Sequence, residues 1–383
     1  MNYKQDLMKI LDFWLDNSID YKNGGIYTCL DREGNIYGTD KSVWFQGRAL
    51  WTFSKAYNSI EKNKKYLYAA KNIYEFLPKC TDNDGRMFFT VTKEGKEIQK
   101  RRYYFSETFA AIGCAEYYKA TGDEKVWKDA EMYFDVAYEC FTGIRKNTPK
   151  TNPENCNMKA LSPVMIMLST AQTMRSVKMD KKYGDIAKDC INKILNGGFL
   201  TEKALLESVS NSGDFVDSPT GRIVNPGHSM EAAWFLMLEG MISGNDDAIN
   251  AGKKIIDFTW PLGWDQKNGG LIAFTDVLQK PPVQLEWDMK LWWPQCETMI
   301  ALAMAYMIFK DEKYKDMYKK IKDYCKEYFV DKDCGEWYGY LHYDNTTSTT
   351  LKGNIFKGPF HIPRMYMIMT ILEEDKNLDR YTR

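Results

Sequence analysis

Histidine is scarce. His228, His342 and His361 are the only three in 383 residues, which leaves few side chains able to exchange a proton near neutral pH. There is no surplus of charge: 52 Lys+Arg stand against 52 Asp+Glu, a formal net charge of zero. Nucleic acid and anionic membrane surfaces are therefore poor partners, since both require an excess of Lys/Arg. Long apolar runs are missing; Met299 to Phe309 is the longest and is too short to cross a bilayer. The start, Met1-Asn2-Tyr3-Lys4-Gln5-Asp6, has no apolar leader. The nine cysteines (Cys29, Cys80, Cys114, Cys140, Cys156, Cys190, Cys296, Cys325 and Cys334) include no C-x-x-C pair. Odd in number and widely scattered, they read as reduced thiols rather than a disulfide frame or a zinc site. Phosphate loops, dinucleotide fingerprints, H-E-x-x-H and G-x-S-x-G are all absent. What survives these exclusions is a soluble cytoplasmic protein.

What is present is ordinary in bulk, with 44% hydrophobic and 27% charged residues, as expected of a globular chain. The aromatics are plentiful, at 11 Trp, 25 Tyr and 19 Phe, enough for a large core and for stacking on sugar rings. Helix follows helix: Val43–Ser59, Phe105–Ala120, Val126–Cys140, Pro163–Met174, His228–Met241, Ala248–Phe258, Pro294–Phe309 and Lys313–Phe329 carry apolar residues at three- and four-residue spacing. Gly-rich turns with β-prone flanks lie between them, such as Asn23-Gly24-Gly25-Ile26 and Asn268-Gly269-Gly270-Leu271, and predict small hairpins.

The helices recur with a period. Arg48, Ser106, Ser162, His228, Glu297 and His361 each mark the start of every second helix, at intervals of 58, 56, 66, 69 and 64 residues. Six helical hairpins at such a period can close into a ring of inner and outer helices. The expectation is an all-α (α/α)6 barrel with short β-hairpins in its connecting loops, and one domain over residues 1–383. Inner helices of such a barrel run parallel, so their N-termini gather at one rim.

Four stretches at inner-helix starts could carry chemistry. In Asn225-Pro226-Gly227-His228-Ser229-Met230-Glu231, an Asn cap and a first-turn Pro put His228 in the opening turn, with Glu231 three residues on along the same face. The helix dipole there favours a neutral imidazole, while Glu231 favours the charged one; a base and a packing His both fit. In Phe356-Lys357-Gly358-Pro359-Phe360-His361-Ile362-Pro363-Arg364, two prolines stiffen the chain around His361 and favour function. In Lys290-Leu291-Trp292-Trp293-Pro294-Gln295-Cys296-Glu297, Trp293 could stack on a sugar while Trp292 reads as core. Arg48, in Val43-Trp44-Phe45-Gln46-Gly47-Arg48, is a cation in an apolar helix that must be paired or face a polar cavity. His342 reads as structural.

At these motifs the chain resembles the N-acylglucosamine 2-epimerase family. The likeness also includes Gly24-Gly25-Ile26-Tyr27-Thr28-Cys29-Leu30-Asp31-Arg32-Glu33-Gly34 and Gly335-Glu336-Trp337-Tyr338-Gly339-Tyr340-Leu341, and so runs nearly end to end. It implies an (α/α)6 barrel and an isomerase that interconverts N-acetylglucosamine and N-acetylmannosamine in amino-sugar and sialic acid catabolism, without a cofactor. It also implies a sugar as partner and a homodimer. One departure is Gln295, where the mammalian-type motif has His, which removes a titratable group from the rim.

The resemblance assigns acid/base roles at C2 to His228 and His361, enediolate stabilisation to Arg48, and orientation of His228 to Glu231. Glu297 would assist ring opening, Trp234 and Trp293 would form a sugar platform, and Arg364 and Lys357 would complete the substrate contacts. Rival readings are a cellobiose 2-epimerase, an aldose–ketose (mannose) isomerase, a glycoside hydrolase using Glu107, Glu231 and Glu297, and a non-catalytic binding module.

Overall fold

A computed structural model describes residues 1–100, 103–147, 151–152 and 154–382. Among these residues, twelve helices of 13 to 19 residues alternate with loops. They are α1 (Tyr3–Ser18), α2 (Val43–Ser59), α3 (Lys64–Phe76), α4 (Phe105–Thr121), α5 (Glu124–Thr142), α6 (Ser162–Val177), α7 (Lys181–Asn196), α8 (Pro226–Ser243), α9 (Asp246–Gly263), α10 (Trp292–Phe309), α11 (Glu312–Tyr328) and α12 (His361–Asp375). A last turn, α13 (Asp379–Thr382), follows.

The even-numbered helices close a ring: α2 packs on α4, α4 on α6, α6 on α8, α8 on α10, α10 on α12, and α12 back on α2. The odd ones form an outer layer, α3, α5, α7, α9 and α11 each on the inner helix before it and α1 on α12. This is the (α/α)6 barrel that the sequence period predicts. Burial separates the two layers as the sequence does. The apolar α10 buries 12 of its 18 residues, whereas the Lys-rich α11 buries four of 17. The ring is tight where glycines meet: a Cβ on Gly47 would strike the backbone of α4 at Phe109, and one on Gly113 would lie 2.6 Å from the Gly47 carbonyl.

The two rims are built differently. All six outer helices start on an Asn or Asp (Asn2, Asn63, Asp123, Asp180, Asn245, Asp311) whose side chain accepts a backbone N–H of the first turn. Each such cap is worth about 1 kcal/mol and permits a short return from the inner helix before it. Among the described residues only α8 of the inner helices has a side-chain cap, Asn225 to the His228 N–H. The other inner helices begin at the ends of long loops.

Those loops carry the strands. Three-stranded antiparallel sheets join Lys41–Ser42, Thr90–Val91 and Glu97–Gln99, and Lys290–Leu291, Tyr340–Leu341 and Thr347–Thr349. Two-stranded pairs join Met158–Ala160 to Ser208–Ser210 and Ile223–Val224 to Thr275–Asp276. Buried lysines pin this rim at three equivalent turns. Lys41 reaches Asp20 at 2.8 Å, Lys290 reaches Asp265 at 2.8 Å, and Lys352 reaches Asp331 at 2.7 Å. Each ammonium also donates to a backbone carbonyl, of Gly24, Tyr343 and Glu336 respectively.

Gln295 belongs to the same scaffold. Fully buried, it accepts the Leu271 N–H at 2.9 Å and donates to the Leu271 carbonyl at 2.8 Å, as Gln46 does with Ile26. The missing rim titratable group at position 295 is thus a structural amide, turned into the loop rather than toward the barrel axis.

Candidate active site

A cavity of about 310 Å³ opens at the rim where the inner helices begin. Its charged lining comes from α2 (Arg48), α8 (His228, Glu231) and α12 (Arg364); α4 and α6 contribute only apolar and hydroxyl side chains, beside Trp44, Tyr103, Phe235 and Phe360 from elsewhere. Candidates more than 300 positions apart in sequence share this cavity because alternate helices converge on the barrel axis.

His228 is held as its cap predicts, in the first turn of α8. Its orienting carboxylate is a different one: both oxygens of Glu207 lie 3.0 Å from His228 Nδ1. Loss of solvent pulls the His228 pKa down, but the Glu207 carboxylate outweighs it and the net shift is upward from 6.5. Against the dipole, the Glu207 contact favours the charged imidazole, and Glu231 and Glu297 add to it at longer range. Glu207 was not singled out in the sequence; the one signal is a lone carboxylate in the apolar run Leu205-Leu206-Glu207-Ser208-Val209.

His361 opens α12 and is 6% exposed. Its Nδ1 lies 2.7 Å from Glu297 Oε1. Burial, reinforced by the nearby Arg364 and Arg48 cations, holds its pKa well below 6.5. The two histidines are thus tuned apart. With each Nδ1 engaged by a carboxylate, each Nε2 is left without a hydrogen-bond partner among the described residues. Both rings pack on the same indole, with Trp293 5.1 Å from the His228 centroid and 5.8 Å from that of His361. Gly227 makes this possible, since a Cβ there would stand 2.7 Å from the Trp293 ring.

Glu231 does not hold His228. It accepts from Arg364 Nη2 at 2.6 Å, and the same nitrogen lies 2.7 Å from Glu297 Oε1. Arg364 therefore bridges two carboxylates. Ligand-type atoms of Glu231, Glu297 and His361 come within 4.8 Å of one another, and one guanidinium nitrogen already binds both carboxylates of that cluster. Glu297 is fully buried, bound also by Trp234 Nε1 at 2.8 Å, so it supports His361 and Arg364 from behind instead of facing the cavity. Trp234, at 2% exposed, is likewise part of that support and offers no open face to a sugar.

Among the described residues Arg48 forms no ion pair with an acid. Its Nε is buried without a partner, and its guanidinium lies over the rings of Phe109 (4.0 Å) and Phe360 (4.8 Å). Burial lowers its pKa to about 9 despite the attraction of Glu231, so it is charged at neutral pH and faces the cavity unneutralised.

Two predicted sites lie elsewhere. Lys357 is fully buried beneath the rim, donating to the Lys352 carbonyl at 2.6 Å and facing Glu336 at 3.5 Å. Glu107 is locked to Arg86 at 2.5 Å and to the Met87 N–H. Glu107 lies outside the cavity and both Glu231 and Glu297 are held by Arg364, so these three do not form a pair of free carboxyl groups of the kind glycosidases use. His342 is exposed, between the paired strands Tyr340–Leu341 and Thr347–Thr349.

The family model of N-acylglucosamine 2-epimerase (GlcNAc 2-epimerase) matches residues 25–360. The N-acylglucosamine 2-epimerase of Mus musculus is 32% identical over 373 residues, covering 94% of this chain and 88% of its own. A cellobiose 2-epimerase of Ruminococcus albus is 25% identical, covering 94% of each. Among solved structures, the cellobiose 2-epimerase of Bacillus thermoamylovorans superposes with a TM-score of 0.83 at 21% identity, over 96% of this chain and 97% of that one, which is a likeness of fold.

Proposed function

The chain belongs to the N-acylglucosamine 2-epimerase family, and from that premise we propose that it inverts C2 of N-acylhexosamines, interconverting N-acetylglucosamine and N-acetylmannosamine. The observation that carries the proposal is the pair of imidazoles against Trp293, each held through Nδ1 by its own carboxylate and shifted in opposite directions. Epimerisation through a planar intermediate needs such a pair: one neutral base, one protonated acid, on opposite faces of one carbon.

In the proposed reaction the sugar binds with its ring opened, because the C2 hydrogen is acidic only beside a C1 carbonyl. Neutral His361 takes the proton through Nε2, and the electrons of the C–H bond pass into the C1 carbonyl to give an enolate whose C2 carries the acylamino nitrogen. Protonated His228 then delivers a proton to the other face, and the electrons return from O1. The return reaction uses the same groups with their protonation exchanged. Arg48 faces the developing oxyanion as a preorganised, partly desolvated charge, a device commonly worth a few kcal/mol, roughly 2.7–4 for one donor. Arg364 holds Glu231 and Glu297 so that Glu297 can hold His361, and Trp293 backs both rings. None of these steps draws on a metal or a redox cofactor.

The cavity volume of about 310 Å³ lies at the small end of ligand sites, about 300–1,000 Å³, and favours a monosaccharide over a disaccharide such as cellobiose. Nine free cysteines, seven of them buried, support a reducing, cytoplasmic setting. No described helix is long and apolar enough to cross a membrane. A homodimer acting in sialic acid catabolism completes the reading. The deciding experiment is NMR of the purified protein with N-acetylhexosamines, free hexoses and cellobiose in D2O. Conversion of N-acetylmannosamine with deuterium appearing at C2 supports the proposal; conversion of only cellobiose or mannose overturns it.

A further inference from the structure

Resting on that reading, we propose that the α6 face of the cavity is the subsite for the substrate's N-acyl group, with Met165 and Ile166 against its carbon chain and the hydroxyls of Ser162 and Ser169 flanking its amide. The cavity is divided by chemistry. Its charged lining residues all come from α2, α8 and α12, and α4 and α6 contribute none. On α6 the lining positions are 162, 165, 166, 169 and 170, a single stripe at helical spacing. Two apolar side chains occupy the middle of that stripe, with a serine one turn to either side. Thr170 spends its hydroxyl on the Ile166 carbonyl at 2.6 Å, whereas the Ser162 and Ser169 hydroxyls have no partner among the described residues. An apolar patch between two free hydroxyls matches a group that carries a short alkyl end and an amide. A bare 2-hydroxyl would leave the apolar patch empty.

The test is the ratio of kcat/KM for N-butanoylmannosamine to that for N-acetylmannosamine, a quantity from which any general loss of activity cancels. In Ile166→Ala the ratio rises about tenfold or more, because one or two methylenes in an apolar pocket are worth roughly 10–200-fold. In Ile166→Phe it falls. Should Ile166→Ala fail to fold, Ile166→Val with the N-propanoyl sugar reads a smaller rise in the same direction. A ratio unchanged within about twofold in the folded variants overturns the subsite while leaving the epimerase reading intact. Failure of the wild-type protein to epimerise any N-acylhexosamine overturns the epimerase reading, and the subsite with it.

Discussion

Glu207 accepts the Nδ1 proton of His228, with both carboxylate oxygens 3.0 Å from that nitrogen. The contact joins the loop after α7 to the first turn of α8 and determines which state of the imidazole is favoured. His361, bound at the same ring position by Glu297, sits instead under the field of two arginines and deeper burial. Similar partners thus produce opposite shifts, because the surroundings differ.

A pH–rate profile should show this asymmetry. The proposed forward state needs His361 neutral and His228 protonated. Activity is lost on the acid side as pH falls through the His361 pKa, well below 6.5, and on the alkaline side as pH rises through the His228 pKa, above 6.5. Glu207→Gln removes the charge that raises His228, so the alkaline limb should move to lower pH and kcat should fall about tenfold or more. A profile whose alkaline limb stays where it was would remove Glu207 from the mechanism.

Arg48→Ala should lower kcat by roughly a hundredfold or more with the fold retained, the cost of losing a preorganised donor to the oxyanion. Among the described residues Arg48 has no acidic partner to leave stranded, so the loss should not show in the denaturation midpoint. Unchanged kcat would make Arg48 a packing residue.

The two histidines can be separated by substrate face. His228→Asn and His361→Asn should each reduce epimerisation by about 10²–10⁴-fold. The surviving imidazole can still exchange the C2 proton of one epimer with D2O. One variant should therefore wash deuterium into N-acetylglucosamine and the other into N-acetylmannosamine. His342→Asn, at an exposed position, should leave activity as it is. Equal wash-in from both epimers in both variants would refute the assignment of one base to each face.

Lys290→Met strands a buried carboxylate. Asp265 would keep its two backbone N–H partners but lose its counter-charge, and breaking one side of a buried pair costs about 3–5 kcal/mol. Chemical denaturation should show a loss of that size for the single variant. The double variant Asp265→Asn/Lys290→Met should lose less. Equal losses would mean that the lysine acts through its bond to the Tyr343 carbonyl rather than through the ion pair.

The barrel was legible because it is periodic. Six starts spaced 56 to 69 residues apart, apolar inner helices and Asn/Asp-capped polar outer ones are all local properties, and a ring is the closure that buries six apolar helices at once. The same local signals placed His228, His361 and Arg48 at inner-helix starts. Local sequence could not say which acid meets which base. Glu231, three residues from His228 and on its face, turns to Arg364 on α12, while His228 takes Glu207 from a separate loop. Trp234 and Lys357, adjacent in sequence to good candidates, are buried behind the site rather than in it. Helical spacing specifies a residue's face; the neighbours of that face are set by the closed ring, where charges satisfy one another across helices far apart in the chain. The residue types and their rim were determined by the sequence alone, and the pairing that tunes them was decided by the tertiary fold.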